Sequence, residues 1–207
     1  MPDAPTLRQA LSRIAAEYPL ARHERFQGHP LPRFIRTEAR QAVFNALNIP
    51  SPTTVTRASA GRSAFANVPW IGVFDTVVTR SAQRGYYVVY LFAADGSRVH
   101  LSLVVGTASV RRAKGDAARD TLRDAAWQLY AKAKEAGHAL PRAPIDLASD
   151  AELPGDYEAA HACGFAYDGT RLPPNETLTS DLNRAYRAYA ALVEASGLMP
   201  TGEPPDS

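Results

Sequence analysis

A chain of 207 residues with 45% hydrophobic composition can bury one sizeable core and not two well-developed ones, so a single domain is expected over residues 1–198, with a linker or tail at 199–207. The lone cysteine, Cys163, excludes an internal disulfide; no apolar run reaches the roughly 18 residues of a membrane span, and no charged-then-apolar leader opens the chain, so a cytoplasmic protein is expected. The net charge of +2 conceals a polarity, because residues 1–136 hold 19 Lys+Arg against 10 Asp+Glu and the remainder hold 4 against 11. A basic first part suits a phosphate-binding surface, and 20 of the 23 basic residues are Arg, whose fork matches phosphate or guanine. An Ala- and Arg-rich composition of the kind a GC-rich genome produces would look the same.

Leu7, Leu11, Ile14, Ala15 and Tyr18 recur at helical spacing and predict a first helix, with Asp3 or Thr6 as cap and Pro19 as stop. His29-Pro30-Leu31-Pro32 reads as loop; Thr37 then caps a second helix that presents Ala39, Val43 and Leu47 on one side and ends at Asn48 and Pro50. From Thr53 the period shortens to that of strands, at residues 53–56, 69–74, 86–92 and 99–104, the last two forming an antiparallel hairpin about Asp95-Gly96. A long helix follows, capped by Asp116, burying Leu122, Ala125, Ala126, Leu129, Tyr130 and Ala133, and closed by Gly137. Residues 139–156 read as Pro- and Asp-rich loop, and residues 157–167 as one or two short strands near Cys163. Asn175 caps a last helix with Leu178, Leu182, Ala185, Tyr186, Tyr189, Leu192 and Val193 inward, ended by Gly197. The fold class expected is α/β of the α+β kind: a mostly antiparallel, curved sheet of short strands flanked by N-terminal, central and C-terminal helices.

Catalytic signatures are scarce. No Gly precedes a Lys, which removes the P-loop, and none of Lys114, Lys132 and Lys134 follows an acidic residue by two positions, as the common restriction-nuclease motif requires. The five histidines are scattered, His161-Ala162-Cys163 offers too few ligands for zinc, and no nucleophile elbow surrounds Ser63, so neither a metal nor a cofactor nor an enzymatic activity is expected. What remains is a set of basic residues in or beside turns (Arg57, Arg62, Arg80, Arg84, Arg98, Arg111, Arg112 and Lys114) with aromatic strands between them. Such a set can hold a backbone and stack a base. Equally, Tyr86, Val88, Tyr90 and Phe92 share a strand face and read as core, and Trp70 reads as a cavity-edge or an ordinary buried tryptophan.

Residues 61–75 with their Pro69-Trp70 pair, residues 81–92, and Val99-His100-Leu101-Ser102-Leu103 together resemble the MrcB-like N-terminal domain of McrB-like modification-dependent (type IV) restriction proteins. The similarity extends through Tyr157, Tyr167 and Leu172-Pro173 into Leu178, Asp181 and Leu182, covering residues 53–195 and leaving residues 1–50 as a helical N-terminal extension whose Arg22, Arg25, Arg33 and Arg36 extend the basic surface or are merely exposed. The resemblance implies a specificity module that binds double-stranded DNA carrying a modified base, 5-methylcytosine first, by rotating that base into a pocket; cutting and translocation belong to a companion nuclease or NTPase. It implies a base pocket of Trp70 and Leu91, to which the neighbouring Tyr90 is added. Backbone contacts are expected from Arg57, Arg62, Ser63, Arg80, Arg84, Arg111, Arg112 and Lys114. The chain departs from the family at Ser63-Ala64, where many members carry Gly-Asn, and at Val104, where Asn is common, which leaves 5-hydroxymethylcytosine, N6-methyladenine and unmodified DNA as alternatives. A rival expectation is a protein-interaction domain docking on a partner through the acidic C-terminal part. A third is a hydrolase using Ser63, His100 or Asp75.

Overall fold

The computed structural model describes residues 4–197, so Asp3 and the tail expected at 199–207 lie outside the described residues. Helix α1 (Leu7–Ala21) starts at Thr6, whose hydroxyl oxygen accepts the Gln9 N–H while Gln9 Oε1 accepts the Thr6 N–H, so two orphan donors of the first turn are satisfied reciprocally. Pro19 does not stop this helix, which runs two residues further. Its missing N–H leaves the Ala15 carbonyl unbonded within the helix, and Gly96 packs against that carbonyl and the Pro19 ring, where a Cβ would overlap both.

The segment expected to be loop at His29–Pro32 is instead the start of a continuous helical run: α2 (Pro30–Phe34), a π-helical turn (Ile35–Ala39) and α3 (Arg40–Asn45). Prolines in a first turn sacrifice an N–H that has no intrahelical acceptor, and His29 Nδ1 accepts the Leu31 N–H at 3.2 Å as the cap. Thr37, expected to be a cap, lies inside the run and donates its hydroxyl to the Arg33 carbonyl at 2.8 Å.

Strands β1 (Thr54–Gly61), β2 (Phe65–Asp75), β3 (Tyr86–Phe92), β4 (Arg98–Val105) and β5 (His161–Asp168) form one open, antiparallel sheet in the order β1-β2-β3-β4-β5. Between β4 and β5 lie α4 (Thr107–Lys114), a 3-10 turn (Gly115–Ala117), α5 (Ala118–Glu135) and α6 (Glu152–Ala160); α7 (Asn175–Ala195) closes the chain. Helix α4 was not anticipated, and Asp116 falls in the 3-10 turn rather than capping α5. Residues 157–160, expected to be strand, are the end of α6. Asn175 is the first residue of α7 and caps a different helix, its Oδ1 accepting the Arg8 N–H of α1 at 3.0 Å.

Side chains alternate across a strand, so the sheet has two distinct faces. One carries Ile71, Val73, Val88, Tyr90, Phe92, Leu101 and Leu103, all buried beneath Leu11, Ile14 and Tyr18 of α1, Leu31, Ile35 and Val43 of the second helical run, and Leu178, Leu182 and Tyr189 of α7. The N-terminal helices are thus part of the main core. The other face carries Val68, Phe74, Tyr87, Val89, Leu91 and Val104 and is covered by Ile145 and Leu147 of the connecting segment together with Tyr157 of α6. That segment is tied across the sheet by Ala94 N–H to the Leu147 carbonyl (2.9 Å), His100 Nε2 to the Asp146 carbonyl (3.0 Å) and Gly164 N–H to the Pro141 carbonyl (2.8 Å). Among the described residues no helix is long and apolar enough to cross a membrane.

Candidate nucleic-acid interface

Trp70 and Leu91 are direct cross-strand partners on β2 and β3, and both belong to the second sheet face. Leu91 is fully buried, whereas Trp70 is half-buried, next to the edge strand β1, where it faces Ser59. Its indole meets the Phe74 ring edge-on at 6.3 Å, and Phe74 stacks on Tyr87 at 4.6 Å, so the tryptophan is backed by an aromatic column. Tyr87 donates its hydroxyl to the Ala82 carbonyl at 3.0 Å, which ties the β2–β3 connection to that column. Arg57 is exposed on β1 and pairs in register with Gly72, two residues along β2 from the tryptophan.

Tyr90 does not join this group. It precedes Leu91 on the same strand, so its side chain enters the main core on the opposite face, where it is 1% exposed. Cavities of about 880, 730, 400 and 320 Å³ open elsewhere, and none of them is lined by Trp70 or Leu91.

The expected backbone-binding residues divide into two groups at opposite ends of the sheet. Arg62 and Ser63 are exposed in the β1–β2 hairpin loop, at the end where β2 begins, Trp70 being the midpoint of that strand. Arg80 and Arg84 sit in the β2–β3 connection at the other end, beyond Asp75, which lies about 17 Å from Trp70 at the strand rise. There Gly106 N–H bonds the Gly85 carbonyl (2.7 Å) and Ser109 N–H the Gln83 carbonyl (2.9 Å), which docks this connection on α4 with Arg111, Arg112 and Lys114. These three residues are therefore helical and not in turns. Arg111 is already engaged: its Nε donates to Asp156 Oδ2 at 2.9 Å, a second nitrogen bonds Asp156 Oδ1, and Glu152 lies at 3.5 Å. Asp156 is buried, and Arg119 reaches it as well at 3.4 Å. The arginine is a structural counterion to a buried carboxylate, while Arg112 and Lys114 are exposed.

Residues that hold the hairpin loop lie outside the base pocket and backbone-binding set expected from the sequence. The buried Tyr18 donates its hydroxyl to the Ala66 carbonyl at 2.8 Å and lies 3.2 Å from the Ala60 carbonyl, touching both strands of the hairpin. Arg36, from the π-helical turn, donates to the Gly61 carbonyl at 2.5 Å. Phe65 inserts edge-on among Tyr18, Phe26 and His29 at centroid distances of 5.6, 5.0 and 5.3 Å. Gly61 takes φ +111° at the turn, and a Cβ there would overlap the Ala64 carbonyl. In the sequence Tyr18 carries only the signal of a core stripe.

Two histidines near the second face, His100 and His161, are buried. Burial, reinforced by His100 and Arg142, pushes the His161 imidazole down to about 4; its Nδ1 lies 2.9 Å from Ser102 Oγ. Burial also lowers His100. Ser63 and Asp75 flank the two ends of β2, some 33 Å apart at the strand rise, so Ser63, His100 and Asp75 do not converge. Among the described residues no three His, Cys, Asp or Glu side chains cluster as a metal site needs.

No curated protein matches the chain. The family profile described as MrcB-like, N-terminal domain matches residues 13–194, a span that includes most of the N-terminal helices set apart above as an extension. The chain therefore belongs to the MrcB-like N-terminal domain family.

Proposed function

We propose that this domain reads a modified base in duplex DNA, 5-methylcytosine in the first instance, within a McrB-type restriction system. Membership of the family supports the restriction context. The observation that carries the reading is the half-buried Trp70, paired with Leu91 beside the edge strand β1, which carries the exposed Arg57, and on the strand that follows the Arg62-Ser63 loop. A base rotated from the stack loses a few kcal/mol of pairing and stacking, and an indole with an aromatic column behind it is a surface on which that loss can be recovered. Because Leu91 is fully buried, Trp70 is the group a base would meet first, and the pocket would form as the base enters. Burying the cytosine methyl contributes on the order of 0.8 kcal/mol, so selectivity also needs polar contacts to the base edge. Arg80, Arg84, Arg112 and Lys114, at the end of the sheet beyond Asp75, would hold phosphates away from the base itself. Cutting and translocation would belong to a companion domain or subunit.

The test is binding to matched duplexes bearing no modification, 5-methylcytosine or N6-methyladenine at two salt concentrations, repeated with Trp70→Ala. A preference for one modified duplex that Trp70→Ala abolishes, with the salt slope retained, is expected. Equal, salt-sensitive binding to all three duplexes would overturn modification reading, and no binding at low salt would overturn DNA binding altogether.

A further inference from the structure

A cleft of about 880 Å³ lies between the N-terminal helices and the β1–β2 hairpin, with Arg13, Arg33, Arg36 and Arg62 on its walls. Glu38 is the one carboxylate among its lining residues, held ionised below the usual range first by the Thr37 hydroxyl and then by Arg33 and Arg13. Two of the four guanidinium groups have other duties: Arg13 pairs with Glu17 at 3.0 Å, and Arg36 holds the Gly61 carbonyl. Arg33 and Arg62 do not; no carboxylate among the described residues forms an ion pair with either, and both are exposed. They stand on opposite walls, Arg33 on α2 and Arg62 on the hairpin loop.

We propose that this cleft is a phosphate clamp for the same DNA duplex, in which Arg33 and Arg62 grip one stretch of backbone from two sides. The inference rests on the DNA-binding reading above and extends it to helices that contain no reader residue. Two forked donors that form no ion pair with a protein carboxylate among the described residues suit a phosphodiester better than a neutral or cationic ligand. The cleft is lined by Arg62 and Ser63 of the loop that leads into β2, the strand that carries Trp70, so a duplex held at that loop would meet the cleft. Arg36 keeps the far wall in place through Gly61 and is thus a positioning residue.

The experiment compares the chain with Arg33→Glu and Arg33→Lys on modified and unmodified duplexes, with inorganic phosphate and a deoxynucleoside monophosphate as separate probes. Arg33 is exposed, so thermal unfolding should be unchanged. Loss of one phosphate contact should lower the salt slope by about 0.9, which makes the fall in affinity between 50 and 200 mM salt roughly 3.5-fold shallower. Arg33→Glu should show this on every duplex, with the ratio of modified to unmodified binding preserved, and Arg33→Lys should stay close to the parent. An unchanged slope for Arg33→Glu, while Arg62→Ala lowers it, would overturn the clamp. So would saturable binding of the free phosphate or nucleotide that Arg33→Glu removes without affecting duplex affinity. Loss of modification preference in Trp70→Ala reports on the reader separately, so the two proposals fail independently.

Discussion

Tyr18→Phe removes a single oxygen from the main core and tests whether the hairpin loop is held from the N-terminal helix. The hydroxyl has one proton, and the shorter contact, 2.8 Å to the Ala66 carbonyl, identifies the acceptor that receives it; the Ala60 carbonyl at 3.2 Å gains a weaker share. Burial pushes the phenol well above its usual range, so it remains a donor at every practical pH. The ring of phenylalanine fills the same space and keeps the edge-on contact with Phe65 at 5.6 Å, so no cavity forms. The loss is one hydrogen bond plus two carbonyls left short of a donor, about 1 to 2 kcal/mol. For a domain of this size that corresponds to a fall in Tm of about 2 to 8 °C. Thermal unfolding measures the total, and amide hydrogen exchange across residues 60–66 locates it. DNA affinity should fall with the looser Arg62-Ser63 loop while the preference for a modified base is retained. A Tm within 1 °C of the parent, with unchanged exchange in the hairpin, would refute the anchoring.

Three further outcomes follow from the geometry. The folded His161 is depressed to about 4 against 6.5 for a free imidazole, so the unfolded chain binds more protons between these values and stability is lost as pH falls through that window, by about 3 kcal/mol; urea unfolding from pH 7 to 4 should show the slope, and His161→Gln should flatten it. Arg111→Ala should lower Tm by leaving the buried Asp156 with the longer Arg119 contact alone and should not change the salt dependence of DNA binding, whereas Arg112→Ala should do the reverse, reducing the slope by about 0.9; equal slopes for the two would contradict the assignment of Arg111 to Asp156. Among the described residues the buried Tyr90 hydroxyl has no partner, so Tyr90→Phe should be neutral or stabilise by about 1 kcal/mol and leave DNA binding unchanged; weakened base preference would return Tyr90 to the pocket.

Where a segment's burial follows one period, its structure was legible. β3 occupies the seven residues expected, and α1 and α7 bury the expected stripes, because one strongly amphipathic face decides each of them. Helix α4 escaped notice because Thr107 is its one buried residue, so it has no apolar stripe to read. The loop assigned to His29–Pro32 failed because prolines break helices in their interiors and not in their first turns. At the candidate site, Trp70 and Leu91 meet as cross-strand partners, a register that the sequence does not print, and the turn of Tyr90 to the opposite face was available from strand alternation alone. The capture of Arg111 by Asp156 was not available, since the two lie 45 positions apart and meet only when α6 packs beside α4.

The hairpin loop is held almost entirely by its main chain. Tyr18 and Arg36 grip carbonyl oxygens of Ala60, Gly61 and Ala66, groups that every amino acid supplies, and the hairpin's own side chains add Phe65 and the Ser59 hydroxyl, which accepts the Gly61 N–H at 3.2 Å. Residues 62–64 can therefore be exchanged freely without loosening the loop that carries them. A scaffold of this kind separates what a loop displays from where it sits, so the side chains at residues 62–64 can change while the frame beneath stays still.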